Sequence, residues 1–408
     1  MLSAALPIAT ISWAVVAYAS PVVTIRDSAI SIPLTKHVNF TSGHGLLASD
    51  QARAKRLRSS RSSQVPSKAA SRTDVPVTNQ AVIYTAALDV GSPPTTFDLI
   101  VDTGSSNTWV GAVTEYTPTS TSQDTGGFLV VTYGSGFVIG EEFIDTVSLG
   151  DGITVTNQSI GAAEFASGFS PYDGILGIGP VDLTTDTVDN VDTVPTITDN
   201  LLAQGTISTE VIGVSFEPTT SNATTNGELT FGGVDSSKFT GDITYTAITS
   251  TSPASEYWGI DQTVAYGDDT ILPLTAGIVD TGTTLLLLAT DAYDAYTAAT
   301  GATLDSTTGL LSVTADQFAA LESLFFTIGD TTFEFTANAQ LWPRSLNTDI
   351  GGDADGIYLI VGDLGSNSGE GLDFINGYAF LERFYSVFDT TNLQVGLATT
   401  PFTNSTTN

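Results

Sequence analysis

The chain has 408 residues, enough for two lobes with separate cores, and its 44 acidic residues against 12 lysines and arginines give a net charge of −32 at neutral pH. It has no cysteine, and its two histidines, His37 and His44, both lie near the amino terminus. From residue 75 onward this excludes disulfides, thiolate and Cys-His chemistry, Ser-His-Asp catalysis and the usual zinc sites, so any hydrolysis there must move protons on carboxylates.

Residues 1–19 are apolar and end in Ala17-Tyr18-Ala19, a small-x-small site that predicts a signal peptide cleaved before Ser20. A membrane anchor is the rival reading, but the apolar run is short and small residues close it. No later run is long and apolar enough to span a bilayer. Residues 20–73 are polar and basic, with RAKRLRSSRSS at 52–62, and nine of the 12 cations precede residue 75. The segment reads either as a solvated tail or as a prosegment whose cations dock on the acidic remainder, acting as an intramolecular inhibitor; the complementary charge favours the prosegment. Lys55-Arg56 is a candidate processing site, and the mature start falls between there and about Thr73. Beyond residue 75 only Lys238, Arg344 and Arg383 oppose 41 acids. Such self-repulsion argues against nucleic-acid or anionic-membrane partners and points to an acidic working pH. The chain is therefore expected to be secreted, extracellular and monomeric.

The body reads as mostly β. Apolar or alternating runs at 81–90, 127–133 and 228–234 predict strands, separated by Gly, Asp, Asn and Thr turns. Helices are predicted at 198–205, 291–300 and 315–326, each beginning near a capping Thr or Asp. Ser/Thr-rich stretches at 117–125 and 249–255 read as surface loops. The second is taken as the joint between lobes spanning 74–248 and 249–408. The acidic run at 182–192 is too irregular for a calcium loop and reads as a solvated loop, so no metal is expected. Asn39, Asn157, Asn222 and Asn404 each begin an Asn-X-Ser/Thr sequence that permits glycosylation.

The five residues IVDTG occur twice, at 100–104 and 278–282, each time behind an apolar strand and ahead of a hydroxyl residue. A later apolar, glycine-containing strand follows each copy, DGILGIG at 173–179 and NGYAFLERF at 376–384. One such turn can be purely structural, since an aspartate at a β-turn commonly bonds its own backbone. Two copies on related lobes can bring Asp102 and Asp280 together at a pseudo-twofold axis with a water between them. Two close carboxylates cannot both ionise cheaply, so the pair shares a proton and titrates as a unit.

The set VDTGSSNTW, VDTGTTL, YGSG between them, DGILGIG and the terminal FLERFYSVFDTTNLQVGLA resembles the pepsin-like aspartic endopeptidases over nearly all of residues 76–402. The resemblance implies a bilobal, mostly β fold with two related lobes and a cleft that holds an extended protein or peptide substrate. It implies catalysis by Asp102 and Asp280, made as a zymogen and without a cofactor. Thr103 and Thr281 would interlock across the axis, Ser105 and Thr283 would bond the outer carboxylate oxygens, and Gly104 and Gly282 would make the turns. Tyr133 would sit at the tip of a substrate-covering flap hinged at Gly134, Ser135 and Gly136, with Trp109 as its hydrogen-bond partner. Plain readings remain for two of these: Trp109 as ordinary core and Tyr133 as a hairpin residue. The chain departs from animal pepsins in lacking their disulfides and in the short span from Asp102 to Tyr133. A catalytically inactive binding protein of the same fold, or a glycoside hydrolase with flanking carboxylates, are the alternatives; the second predicts neither a duplicated turn nor a flap.

Overall fold

Alternation of apolar and polar side chains, period two, recurs along the chain, and among the described residues the strands pair into three sheets of 13, seven and three strands. The computed structural model describes residues 29–38, 43–59, 82–134, 136–150, 152–221 and 223–407. The signal-peptide expectation, Ser135, Asn39 and Asn222 lie outside the described residues. The seven-stranded sheet uses only residues after Trp258, whereas the strands Phe384–Asp389 and Gln394–Thr399 return to the 13-stranded sheet. The main buried apolar cluster runs continuously through both.

The internal repeat is visible in the pairing. Thr95–Asp102 lies parallel to Gly174–Gly177, which is antiparallel to Thr108–Val110. In the second copy Asp269–Val279 lies parallel to Phe374–Asn376, which is antiparallel to Leu286–Leu288. Gly174–Gly177, Phe374–Asn376 and Leu286–Leu288 are buried throughout, as expected of strands covered on both faces. The second companion strand thus ends at Asn376 instead of running through NGYAFLERF, where Tyr378–Leu381 forms a short helix.

The strands and helices expected elsewhere form, except one. Strands form at Val82–Val90, Gln123–Thr132 and Thr224–Phe231, and helices at Ile197–Ala203 and Thr290–Thr300. The helix expected over 315–326 ends at Ala319. Leu324, Phe326 and Ile328 alternate inward in a strand that pairs with Gly259–Tyr266, so strand pairing and burial override the local helical pattern.

The basic leader is built into the body. Its strand Ile30–Val38 lies between Thr224–Phe231 and Val82–Val90, with Ile30, Ile32 and Leu34 buried in the main core. Lys36 continues that inward alternation and is fully buried. Its ammonium donates to Glu382 Oε1 at 2.5 Å, the same oxygen that accepts from Tyr84 Oη at 3.1 Å, and it lies 5.1 Å from the Tyr378 ring centroid. The leader helix Gly43–Arg58 then buries Leu46, Asp50, Ala54 and Leu57 along one stripe. The Lys55-Arg56 pair lies within this helix.

Removing one partner of a buried ion pair leaves the other charge uncompensated. Lys36→Ala is therefore expected to destabilise the full-length chain by about 3 kcal/mol, read as a lower urea midpoint at neutral pH, whereas Glu382→Gln with Lys36→Met should recover most of the loss.

Candidate active site

Asp102 and Asp280 each end a buried strand, and each is itself almost inaccessible at 1% and 0% exposure. The peptide after each strand turns sharply, so the carboxylate folds back onto its own turn. Asp102 Oδ1 accepts from Gly104 N at 2.9 Å, and Oδ2 accepts from Ser105 Oγ at 2.5 Å. In the second turn Asp280 Oδ1 accepts from Gly282 N at 3.1 Å, and Oδ2 accepts from Thr283 Oγ1 at 2.6 Å.

The two turns are locked to one another by Thr103 and Thr281. The Thr103 backbone N–H donates to Thr281 Oγ1 at 3.0 Å, and the Thr281 N–H donates to Thr103 Oγ1 at 2.9 Å. Each hydroxyl also donates across the axis, Thr103 to the Val279 carbonyl at 3.3 Å and Thr281 to the Val101 carbonyl at 2.9 Å. All four groups are buried and each finds its partner in the opposite repeat, so neither turn can shift alone. The glycines permit the approach. A Cβ on Gly104 would lie 2.8 Å from Asp280 Oδ1, and one on Gly282 would lie 2.5 Å from Asp102 Oδ1.

A hairpin closes over the pair. Strands Gln123–Thr132 and Phe137–Gly150 are joined by a turn closed by Tyr133 N donating to the Gly136 carbonyl at 2.7 Å. Tyr133 packs under the turn, where Trp109 Nε1 donates to its hydroxyl oxygen at 2.9 Å. The Tyr133 hydroxyl is also bonded with Ser105, which links the hairpin to the Asp102 carboxylate. Phe169 meets both rings edge-on, with centroids 4.8 Å from Trp109 and 5.3 Å from Tyr133. Trp109 is thus fully buried core and hydrogen-bond partner at once.

Sequence reading missed the groups that hold the leader over this site. Arg53 Nε donates to Asp280 Oδ2 at 2.7 Å, and one terminal nitrogen donates to Asp280 Oδ1 at 2.9 Å and to Asp102 Oδ1. Burial alone would raise the Asp280 pKa, but the Arg53 charge and hydrogen bonds, with Thr283 and Gly282, hold it below the ordinary carboxylate range. Three residues earlier, Asp50 accepts from the backbone N–H groups of Thr284 at 3.2 Å and Leu285 at 2.8 Å. Arg56 Nε donates to the Thr132 carbonyl of the hairpin at 3.0 Å. The available signal was the spacing of Leu46, Asp50, Ala54 and Leu57, one helical stripe interrupted by an acid. Among the described residues no His, Cys, Asp and Glu cluster suits a metal. Asn157 and Asn404 are both exposed.

The eukaryotic aspartyl protease family matches residues 83–400. Polyporopepsin of Irpex lacteus is 64% identical over 337 residues, covering 82% of this chain and 99% of that protein. Rhizopuspepsin-2 of Rhizopus niveus is 32% identical over 382 residues, covering 88% and 90%, and pepsin A of Sus scrofa is 30% identical over 353, covering 82% and 86%. The crystal structure of the aspartic proteinase from Irpex lacteus superposes with a TM-score of 0.80 at 55% identity, covering 93% of this chain and all of that one.

Thr103→Val keeps the volume but deletes a donor to Val279 and an acceptor for Thr281, leaving two buried backbone groups unpaired. The expected cost is about 2–4 kcal/mol, measured as a lower unfolding midpoint, with Thr103→Ser recovering most of it.

Proposed function

The chain belongs to the eukaryotic aspartyl protease family and is a pepsin-like aspartic endopeptidase; from that premise we propose that it is exported as a zymogen and cleaves proteins in acid through a water activated by Asp102 and Asp280. The observation that carries this reading is the single guanidinium of Arg53 bridging both carboxylates, since only groups aimed at one point can share it. With Arg53 withdrawn, a water takes the shared position. Like-charge repulsion then keeps one carboxyl protonated while the other is ionised.

An extended peptide lies in the cleft with the 123–150 hairpin folded over it. The ionised carboxylate removes a proton from the water, whose oxygen attacks the scissile carbonyl carbon. The protonated partner gives its proton to the carbonyl oxygen, producing a neutral tetrahedral diol with no covalent bond to the enzyme. As the diol collapses, one hydroxyl proton passes to the carboxylate that had given up its proton, the C–N bond breaks, and the leaving nitrogen takes the proton that the other carboxyl had removed from the water. Ser105 and Thr283, bonded to the outer oxygens, keep the inner oxygens free for the water. No cofactor takes part.

Acid acts on the leader in two opposed ways. Arg53 depresses the Asp280 pKa in the docked state, so that contact favours docking at higher pH and is lost as pH falls through the docked value. Asp50 behaves conversely. Burial pushes its carboxyl up from 3.8 to about 7, against the lowering pull of the Leu285 and Thr284 amides. Docking therefore takes up a proton there and is strengthened as pH falls through that window. Release in acid must come from Arg53 losing its carboxylates and from the wider charge complementarity between leader and body, with Asp50 restraining it.

Denatured protein incubated from acid to neutral pH with the wild type should be cut only in acid, and pepstatin should stop the cutting. Asp280→Asn should lose about a thousandfold or more in rate while keeping its unfolding midpoint in acid. A folded, processed wild type that cuts nothing would refute the reading. Arg53→Gln removes the shared cation, and the pH at which half of the full-length chain is processed should move upward, followed on gels over time.

A further inference from the structure

One cavity beside the carboxylate pair is lined in part by residues that the mechanism above does not use. It encloses about 500 Å³ and runs from Gly104 and Ser105 outward beneath the hairpin. Phe128, Val131, Ile139 and Leu183 give its lining a large apolar share, and Asp186 and Asp189 line it too. Both acids are exposed, and neither carboxylate has a hydrogen bond or ion pair among the described residues.

The backbone of both acids is fixed in place. Val130 N donates to the Thr187 carbonyl at 2.9 Å and Asp189 N to the Phe128 carbonyl at 3.1 Å, so the loop carrying the acids is sewn to the hairpin strand. Thr184 clamps the loop from below, donating to the Val194 carbonyl at 3.1 Å and accepting from Val194 N at 2.9 Å. The backbone that carries the two acids is therefore fixed before any ligand arrives, which lowers the ordering cost of binding. A cavity that combines apolar lining with two exposed acids matches one kind of side chain: an aliphatic stem ending in a cation. The leader supplies a partial example. Arg56 lines this cavity, but its Nε is taken by the Thr132 carbonyl, leaving Asp186 and Asp189 without a partner.

Resting on the reading of the cleft as a peptide-binding site, we propose that this cavity selects substrates with lysine or arginine at one position near the scissile bond, through Asp186 and Asp189. The acids do not touch the reacting atoms; they set which peptides are cut. An exposed ion pair supports a preference of about fivefold in kcat/KM over leucine at that position.

The test is a peptide library cleaved by the processed wild type at one mildly acidic pH, with cut sites read by mass spectrometry. Lysine and arginine should be enriched at a single position within three residues of the cut. The lysine-to-leucine ratio of kcat/KM at that position should fall to about one in Asp186→Asn/Asp189→Asn. In Asp189→Lys the preference should turn toward glutamate. Cleavage with no basic preference, or a preference unchanged in the double variant, would overturn the proposal while leaving the proteolytic reading intact. Absence of any cleavage would overturn both.

Discussion

Everything at the centre of this molecule depends on the reciprocal hydrogen bonds between Thr103 and Thr281. A carboxylate at a strand end is ordinarily free to turn toward solvent. Here each turn's threonine hydroxyl accepts from the backbone N–H of the other turn and donates to a carbonyl of the opposite repeat. The exchange holds two buried acids face to face although their charges repel. The surrounding features follow from that constraint. The glycines exist because a Cβ would strike the opposite carboxylate, and the parallel companion strands exist because each turn must be held rigidly from behind. The Trp109–Tyr133–Ser105 chain extends the same rigidity from the Asp102 side to the hairpin.

A site that forces two acids together attracts any cation within reach, and the leader uses this. Its helix carries Arg53 to a point where one guanidinium touches both carboxylates, far more effective in a buried setting than in water. The leader strand is anchored separately, by apolar burial and the Lys36–Glu382 pair. Covering of the carboxylates and anchoring of the leader are thus distinct: one resides in an electrostatic contact, the other in a strand within the sheet. The uneven charge of the chain, basic before residue 75 and acidic after it, is the long-range form of the same complementarity.

The linear chain is most legible where a turn is written locally. The doubled Asp-Thr-Gly, the flanking hydroxyls and the tyrosine before Gly-Ser-Gly each specify a turn whose geometry is set by a few adjacent residues. The chain is least legible at residues 320–326, whose helical pattern yields to pairing with a strand some 60 positions away, and at NGYAFLERF, where the expected strand begins as a helix. Tertiary pairing outweighs propensities of a few tenths of a kcal/mol per residue.

Composition alone decided that carboxylates must do any proton transfer here, because histidine and cysteine are missing from the body. Duplication of one motif decided that there would be two such carboxylates in equivalent turns. Sequence could not say which leader residue meets them, because Arg53 is one of several cations in RAKRLR and only the register of the docked helix singles it out. Nor could it show that Asp186 and Asp189, part of an unremarkable acidic run, line a cavity beside Ser105. Those facts depend on which distant segments the folded backbone brings within a few ångströms, and spacing along the chain does not encode that.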